Sequence, residues 1–392
     1  MDAVNILQHK ALKSSFIKDP RRKKALSAAV TSLVQREELT VTGLGRGLRN
    51  SKARCKHNIK RMDRLLSNPH LHAERISVYY GVAHWLLKQH KHPLIIVDWS
   101  PVNHVDFQIL RASLPIGGRA FTLYEQVFPE RDLASVKSHR SFITKLAAIL
   151  PEGCKPVICT DAGFYTPWFT PVEEQGWYWL SRLRGNSLVH ANGEWQSVAA
   201  LYLQATAMPA ELGDILLTKT RQHPCRAALN RRAPKGRHKK VWSGGPSRDS
   251  GSLEYARAAK EPWLLVTNLP ADQWPAEQMV GLYAKRMQIE EGFRDTKSYR
   301  TGLGLRLSGT RDVARLQVLL LIAMLTQLTL LMTGKAAYLK EYHRHFQANT
   351  ERNRAVLSYF FLGKEIVKDA RYQFSEQDLA EAYDEMSKNY AC

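Results

Sequence analysis

Two short apolar runs, each closing on an aspartate, constrain the fold of this chain more than any other feature. Leu94 to Val97, within PLIIVDWS, is continuous and rich in β-branched side chains, as a strand buried on both faces requires, and Asp98 stands at its end. The run PVICT repeats the pattern and delivers Asp161 in TDAGF, where Gly163 permits a tight turn. One aspartate after a strand is usually a turn residue or a helix cap. Two such strands can set both carboxylates on one rim of a sheet. Between them, FQILRASLPIGG and RAFTLYEQVF, divided at Gly117-Gly118, predict a hairpin antiparallel to the first strand. Ala134 to Leu150 has helical spacing and stops at Pro151, and Trp168 to Trp177 reads as a helix leading into the strand WYWLSRLRG. The order strand, hairpin, helix, strand, helix, strand is an α/β layered sheet of mixed strand direction.

A third acid comes from Tyr283 to Lys297, YAKRMQIEEGFRDTK, which follows the apolar run WLLVTNLP and the helix-start signals Asp272 and Pro275. As one helix turning ~100° per residue, this segment places Tyr283, Arg286, Glu290 and Lys297 in a stripe about 60° wide, with Glu291 about 100° from Glu290. A solvated face of mixed charge is the ordinary explanation of such a run. Asp98 and Asp161 give a reason to read Glu290 as their partner. Three carboxylates together raise one another's pKa, and a hard divalent cation, Mg²⁺ or Mn²⁺, removes the conflict. Two such ions, about 3.5 to 4 Å apart, would clamp the attacking and leaving oxygens of an in-line phosphoryl displacement. His90 and His92 lie in KQHKHP, which reads as an exposed linker, so no histidine base is expected.

The partner is suggested by charge. The chain carries 57 Lys and Arg against 36 Asp and Glu, a net +21 over 392 residues, which implies a polyanion and above all nucleic acid. Eight Lys or Arg and one acid lie between Arg46 and Arg64, and Lys52, Lys56, Lys60 and Arg64 recur every fourth residue beside Ile59, Met62, Leu65 and Leu66. That is an amphipathic helix with a basic edge, suited to a DNA groove or to solvent. Ahead of it, LTVTGLGRGL reads as the strand or turn before a helix-turn-helix element. From Asn186 to Glu261 no long helical period appears, and RRAPKGRHKK (231–240) packs six Lys or Arg into ten positions, so the segment reads as a β-rich insertion with a basic loop. Five scattered cysteines without a C-x-x-C pair argue against a disulfide framework or a zinc module and fit a reducing cytoplasm. The first twenty residues read as lacking a secretory signal. Leu316 to Met332 is membrane-length, but its Gln317, Thr326, Gln327 and Thr329 favour a buried core helix.

The spacing Y-x2-R-x3-E-x6-K at Tyr283, Arg286, Glu290 and Lys297 matches the YREK signature of bacterial insertion-sequence DDE transposases of the "IS-four" family. The chain resembles that family also in LGRGLRNSKARCKHNIKRMDRLL, LIIVDWS, TDAGF, GWYWLSRLRG, YAKRMQIEEGFRD and FQANTERNRAVLS. The resemblance implies a ribonuclease-H-like core interrupted by the insertion, with helical regions at both ends. By region it implies a basic DNA-binding domain at 1–85, the core at 86–186 and 262–310, the β-rich insertion at 187–261, and a helical region at 311–392 that could dimerise. It further implies cut-and-paste transposition through hairpin intermediates, with Asp98, Asp161 and Glu290 as the catalytic, metal-binding triad. Tyr283, Arg286 and Lys297 would contact transposon-end DNA. Trp263 resembles the tryptophan that fills the space of a flipped base, although a core tryptophan is an equal alternative. The expected partners are double-stranded DNA, as terminal inverted repeats and target, and a second copy in a homodimer, with no membrane; the expected place is the bacterial cytoplasm, at the nucleoid. A catalytically inactive DNA-binding derivative and a nuclease that never joins strands are the alternatives.

Overall fold

The computed structural model describes residues 3–13, 15–48, 51–102, 105–185, 187–233, 247, 249–258, 260–351 and 353–392. The chain opens with helices α1 (Ala3–Lys13), α2 (Pro20–Arg36), α3 (Val41–Arg46), α4 (Cys55–Leu66) and α5 (Pro69–Leu87). Asp19 accepts from the Arg21 amide ahead of Pro20, and Asn68 accepts from the His70 and Leu71 amides ahead of Pro69, so the polar cap and proline set two of these starts. Next come β1 (Leu94–Val102), β2 (Phe107–Pro115), β3 (Ala120–Pro129), α6 (Val136–Ile149), β4 (Val157–Cys159), α7 (Thr166–Glu173) and β5 (Tyr178–Leu183). They are followed by β6 (Leu188–Ala191), β7 (Glu194–Ser197), α8 (Val198–Leu201), β8 (Ala210–Leu217), β9 (His223–Asn230), α9 (Ser250–Ala258) and β10 (Trp263–Thr267). The chain closes with α10 (Ala276–Ala284), α11 (Gln288–Lys297), α12 (Val313–Leu339), α13 (Tyr359–Ile366) and α14 (Glu376–Ser387). This mixed α/β architecture with flanking helices is in keeping with the ribonuclease-H-like expectation.

Contacts group these elements into two compact units, Met1–Pro156 with Met287–Cys392, and Val157–Arg286. In the first, β1, β2 and β3 form an antiparallel meander, as the sequence predicts. Gly117 and Gly118, with φ of 82° and 88°, turn the hairpin in a backbone region that disfavours other residues. Asp98 is not at a strand end, however. β1 runs on to Val102, with Pro101 opposite Gln108, because β2 offers partners beyond the apolar run. What ends at Val97 is burial, since Leu94 to Val97 are fully buried and Asp98 is half-buried.

The membrane-length segment is the central helix of this unit. In α12, 94 % of the most apolar stretch is buried. Thr326 and Thr329 bond within the helix, to the carbonyls of Ile322 and Leu325, whereas Gln327 finds partners that hydrocarbon would deny it, on α11 and β3. Helix α13 crosses α12 at Gly334 and Gly363, where a β-carbon on either residue would collide with the backbone of the other helix. LTVTGLGRGL is not strand or turn: Thr40 caps the short helix α3, whose Gly45 lies against Ile59 of α4 too closely for a side chain.

In the second unit the strand order is β4-β5-β10-β9-β8-β6-β7, with β4 and β5 parallel and the remaining pairs antiparallel. The insertion is β-rich as expected, and its β9 pairs directly with β10. It also carries α9, which the sequence did not announce. Within the basic loop only Arg231 and Arg232, with Ala233, belong to the described residues.

The largest departure is at Tyr283–Lys297. This segment is two helices, not one: α10 ends at Ala284 and α11 begins at Gln288, with Lys285, Arg286 and Met287 in turns. The common stripe calculated for a single helix therefore does not exist. Tyr283 and Arg286 belong to the second unit, whereas Glu290 and Lys297 belong to the first.

Candidate active site

The seat of α11 is a buried polar network. Asp98, Arg111 and Glu125 stand opposite one another across β1, β2 and β3, and so face the same side of the sheet. Arg111 and Glu125 form an ion pair of 2.7 Å, each side chain only 1 % exposed. A charge pair so placed costs free energy unless further bonds hold it. Arg111 supplies one by donating to Thr296 Oγ1 at 3.1 Å, and its guanidinium lies 4.3 Å from the Phe293 ring centroid. Gln327 of α12 donates to Thr296 Oγ1 and the Gly292 carbonyl and accepts from Thr122 Oγ1. Burial nevertheless pushes the Glu125 carboxyl up from its ordinary range, with Arg111 opposing.

Lys297 ends α11 inside this network. It is 6 % exposed, and its Nζ donates to Ser100 Oγ at 2.6 Å and to the Pro101 carbonyl at 2.5 Å. Burial pulls its pKa down to about 7, helped by Arg111 and Arg306 and opposed by Glu125 and Asp98. The lysine thus joins the end of α11 to the part of β1 just beyond Asp98. At the other end of α11, Glu290 is exposed in the first turn, where the helix dipole favours a negative charge. Its neighbour Glu291 is half-buried and forms ion pairs with Arg119 at 3.1 Å and with Arg294. The two adjacent acids differ in exposure, in keeping with their angular spacing on α11.

In the second unit, Asp161 follows β4 in a turn closed by its own side chain, Oδ1 accepting from the Gly163 amide at 2.8 Å. Its carbonyl accepts from Ser181 Oγ of β5 at 3.0 Å. Tyr283 is 5 % exposed, and burial holds its hydroxyl far above its usual pKa, with Arg286 opposing and Asp161 adding to the shift. Its ring meets Trp263 edge-on at 4.8 Å, and the Arg232 guanidinium lies 4.9 Å from the Trp263 centroid. Trp263 is half-buried at the start of β10, and Arg286 is half-buried in the turn after α10.

On α4, Lys56, Lys60 and Arg64 are exposed, and Met62, Leu65 and Leu66 are buried, as predicted. Lys52 is exposed too, but it precedes the helix. Asp63 pairs with Arg315 at 2.7 Å and so ties α4 to α12. Sequence reasoning overlooked Arg61, which joins Lys23, Lys24 and His9 along a cleft of about 800 Å³ between the N-terminal helices. The PRRKK run that opens α2 was the available signal. His92 is held on the Lys155 carbonyl at 2.9 Å, and neither His90 nor His92 belongs to the sites above.

Asp98, Asp161 and Glu290 are carboxylates with half-buried or exposed side chains, the hard oxygen donors that Mg²⁺ or Mn²⁺ takes, so the donor chemistry fits a divalent cation. Among the described residues, no group of three or more His, Cys, Asp or Glu side chains forms a ready metal-binding cluster. Residues 89–327 match the family model described as a transposase DDE domain. No curated protein matches the chain.

Proposed function

The chain belongs to the family of transposase DDE domains, and from that premise we propose that it is a cut-and-paste transposase of the "IS-four" group, similar to the transposase of the tetracycline-resistance transposon. Transposase activity and a DNA substrate come with the family, as does a general use of divalent metal ions. The finer reading rests on one observation above the rest: the matched region contains Asp98, Asp161 and Glu290 in order, with the last followed by the lysine of Y-x2-R-x3-E-x6-K.

The reaction is a series of phosphodiester exchanges. Water cuts one strand at each terminal inverted repeat, and the freed 3′ hydroxyl attacks the opposite strand to give a hairpin. Water reopens the hairpin, and the 3′ hydroxyl then attacks target DNA. Each exchange forms one P–O bond and breaks another, so no redox or energy-carrying group is required.

Asp98, Asp161 and Glu290 would hold Mg²⁺, or Mn²⁺, as two ions through carboxylate oxygens. Bound there, the ions supply Lewis acidity to the attacking and leaving oxygens. Arg111 stands opposite Asp98 on the neighbouring strand, and Lys297 fixes the end of α11 to β1 just beyond Asp98. Arg286 contributes a guanidinium for backbone phosphate. Tyr283 supports Trp263, whose ring is the candidate surface for an unstacked base. The basic edge of α4, with Lys52 before it, grips the repeat through phosphates. A homodimer on paired ends completes the proposal.

Incubation with Mg²⁺ and a DNA fragment carrying the flanking terminal repeats tests this reading. Hairpin ends and strand-transfer joints are expected on denaturing gels. Nicks that never progress to either product would point to a hydrolytic nuclease instead.

A further inference from the structure

A cleft of about 410 Å³ opens in the second unit beside the Asp161 turn, within the roughly 300–1,000 Å³ range of small-molecule sites. Its floor is apolar and buried: Phe169 of α7, Leu183 at the end of β5 and Leu217 at the end of β8. Two side chains at its mouth are large, apolar and solvent-facing, Tyr165 at 59 % and Leu188 at 45 % exposure. Tyr165 and Leu188 thus set an aromatic ring and an apolar chain beside a preformed apolar slot, a lining on which a flat ligand can stack.

The slot's position relates it to the acid. Ser181 and Leu183 are two apart on β5 and therefore on one face, about 6.6 Å from each other. Ser181 holds the Asp161 carbonyl, and Leu183 lines the slot. Tyr165 comes directly after the turn that the Phe164 amide closes on the Asp161 carbonyl, at the start of α7. The back wall is fixed, because Phe169 stacks on Trp179 at 3.9 Å with the rings 5° from parallel.

Chemistry at the rim selects the occupant. The lining contains Lys219 and the hydroxyls of Thr166 and Ser187 but no acid. Exposed Arg184 and Arg221 directly follow the lining residues Leu183 and Thr220. An apolar flat surface, hydroxyls for a polar edge and cations at the mouth together suit a nucleobase with its backbone phosphate. An apolar peptide would not use the cations.

We infer that the Tyr165 cleft binds an unpaired nucleotide of the DNA strand handled at Asp161, stacking the base on Tyr165 and its phosphate against Lys219. This site is separate from the Trp263 surface, and it rests on the proposed role of Asp161. The test measures fluorescence anisotropy of the full chain with a labelled single strand of about ten nucleotides and with a duplex of the same length. Tyr165→Ala is expected to weaken single-strand binding about tenfold, equivalent to about 1.4 kcal/mol. Duplex binding should stay within about twofold, and Tyr165→Phe should restore the single-strand affinity to a similar margin.

An unchanged single-strand affinity in Tyr165→Ala, equal loss on both probes, or a change in oligomeric state instead would overturn the inference. Wild-type cleavage of repeat DNA separates the two levels. If the wild type cuts while the slot variants bind normally, only the slot assignment fails; if it neither binds nor cuts DNA, the transposase reading fails with it.

Discussion

Glu290 and Glu291 are neighbours in the chain with different exposure. Glu290 stands exposed at the start of α11, whereas Glu291 is held by Arg119 and Arg294. Glu290→Gln should lower cleavage by at least about 10²-fold in a gel assay of repeat DNA, as loss of one placed electrostatic group does. Glu291→Gln should leave cleavage nearly intact and cost up to about 1 kcal/mol of stability, because a partly exposed ion pair contributes little. Asp295 offers a pH test. Burial raises its pKa to about 7, against the opposing charges of Arg119 and Arg294. The folded state therefore keeps a proton that the unfolded chain releases near pH 4. The Asp295 contribution is complete below about pH 4 and is lost as pH rises through about 7. Thermal unfolding should show that fall between these values, and Asp295→Asn should flatten it; an identical slope in the variant would refute the assignment. At this scale the sequence singles out Asp98, Asp161 and Glu290 as candidates by motif, but not the burial of Lys297 and Tyr283, because their spacing to Glu290 is the same whether they face solvent or core.

Two helices in place of one explain most of what the sequence misjudged at the level of elements. Lys285 to Met287 contains neither Gly nor Pro, so nothing local announces a break. The change of unit after Arg286 is set by tertiary contacts that periodicity does not encode. β1 was cut short for a related reason: hydrophobicity marks burial, whereas strand length follows pairing with β2. The hairpin and α12 were legible because Gly117-Gly118 and a long apolar run each have few structural solutions. The seat of α11 depends on Gln327, whose amide serves three groups. Gln327→Leu should destabilise the fold by about 1–3 kcal/mol in urea unfolding, since buried partners lose their bonds. It should also reduce cleavage while leaving DNA affinity intact; an unaltered urea midpoint would show that the network does not hold the helix. Gly334→Ala should cost about 1–3 kcal/mol through overpacking against α13.

Across the whole molecule, a net charge of +21 and the exposed basic edge of α4 make DNA binding an electrostatic event. Affinity for duplex should fall by about 10³ or more between 50 and 200 mM salt if six or more phosphates are engaged. Joint replacement of Lys56, Lys60 and Arg64 by alanine should shallow the salt slope by about 3, or by less if fewer of them touch phosphate. A slope unchanged by the triple variant would remove α4 from the interface. Global charge was fully legible in the sequence, whereas the division into two units was not, because it depends on which strands and helices find one another. Asp98, Asp161 and Glu290, as the proposed catalytic acids, are each required for Mg²⁺-dependent cleavage of terminal-repeat DNA, to be measured in the wild type beside Asp98→Asn, Asp161→Asn and Glu290→Gln. The wild type is expected to cut at the repeat ends and all three variants to bind the same DNA without cutting it; cleavage at wild-type rates by any one of them would remove that residue from the triad.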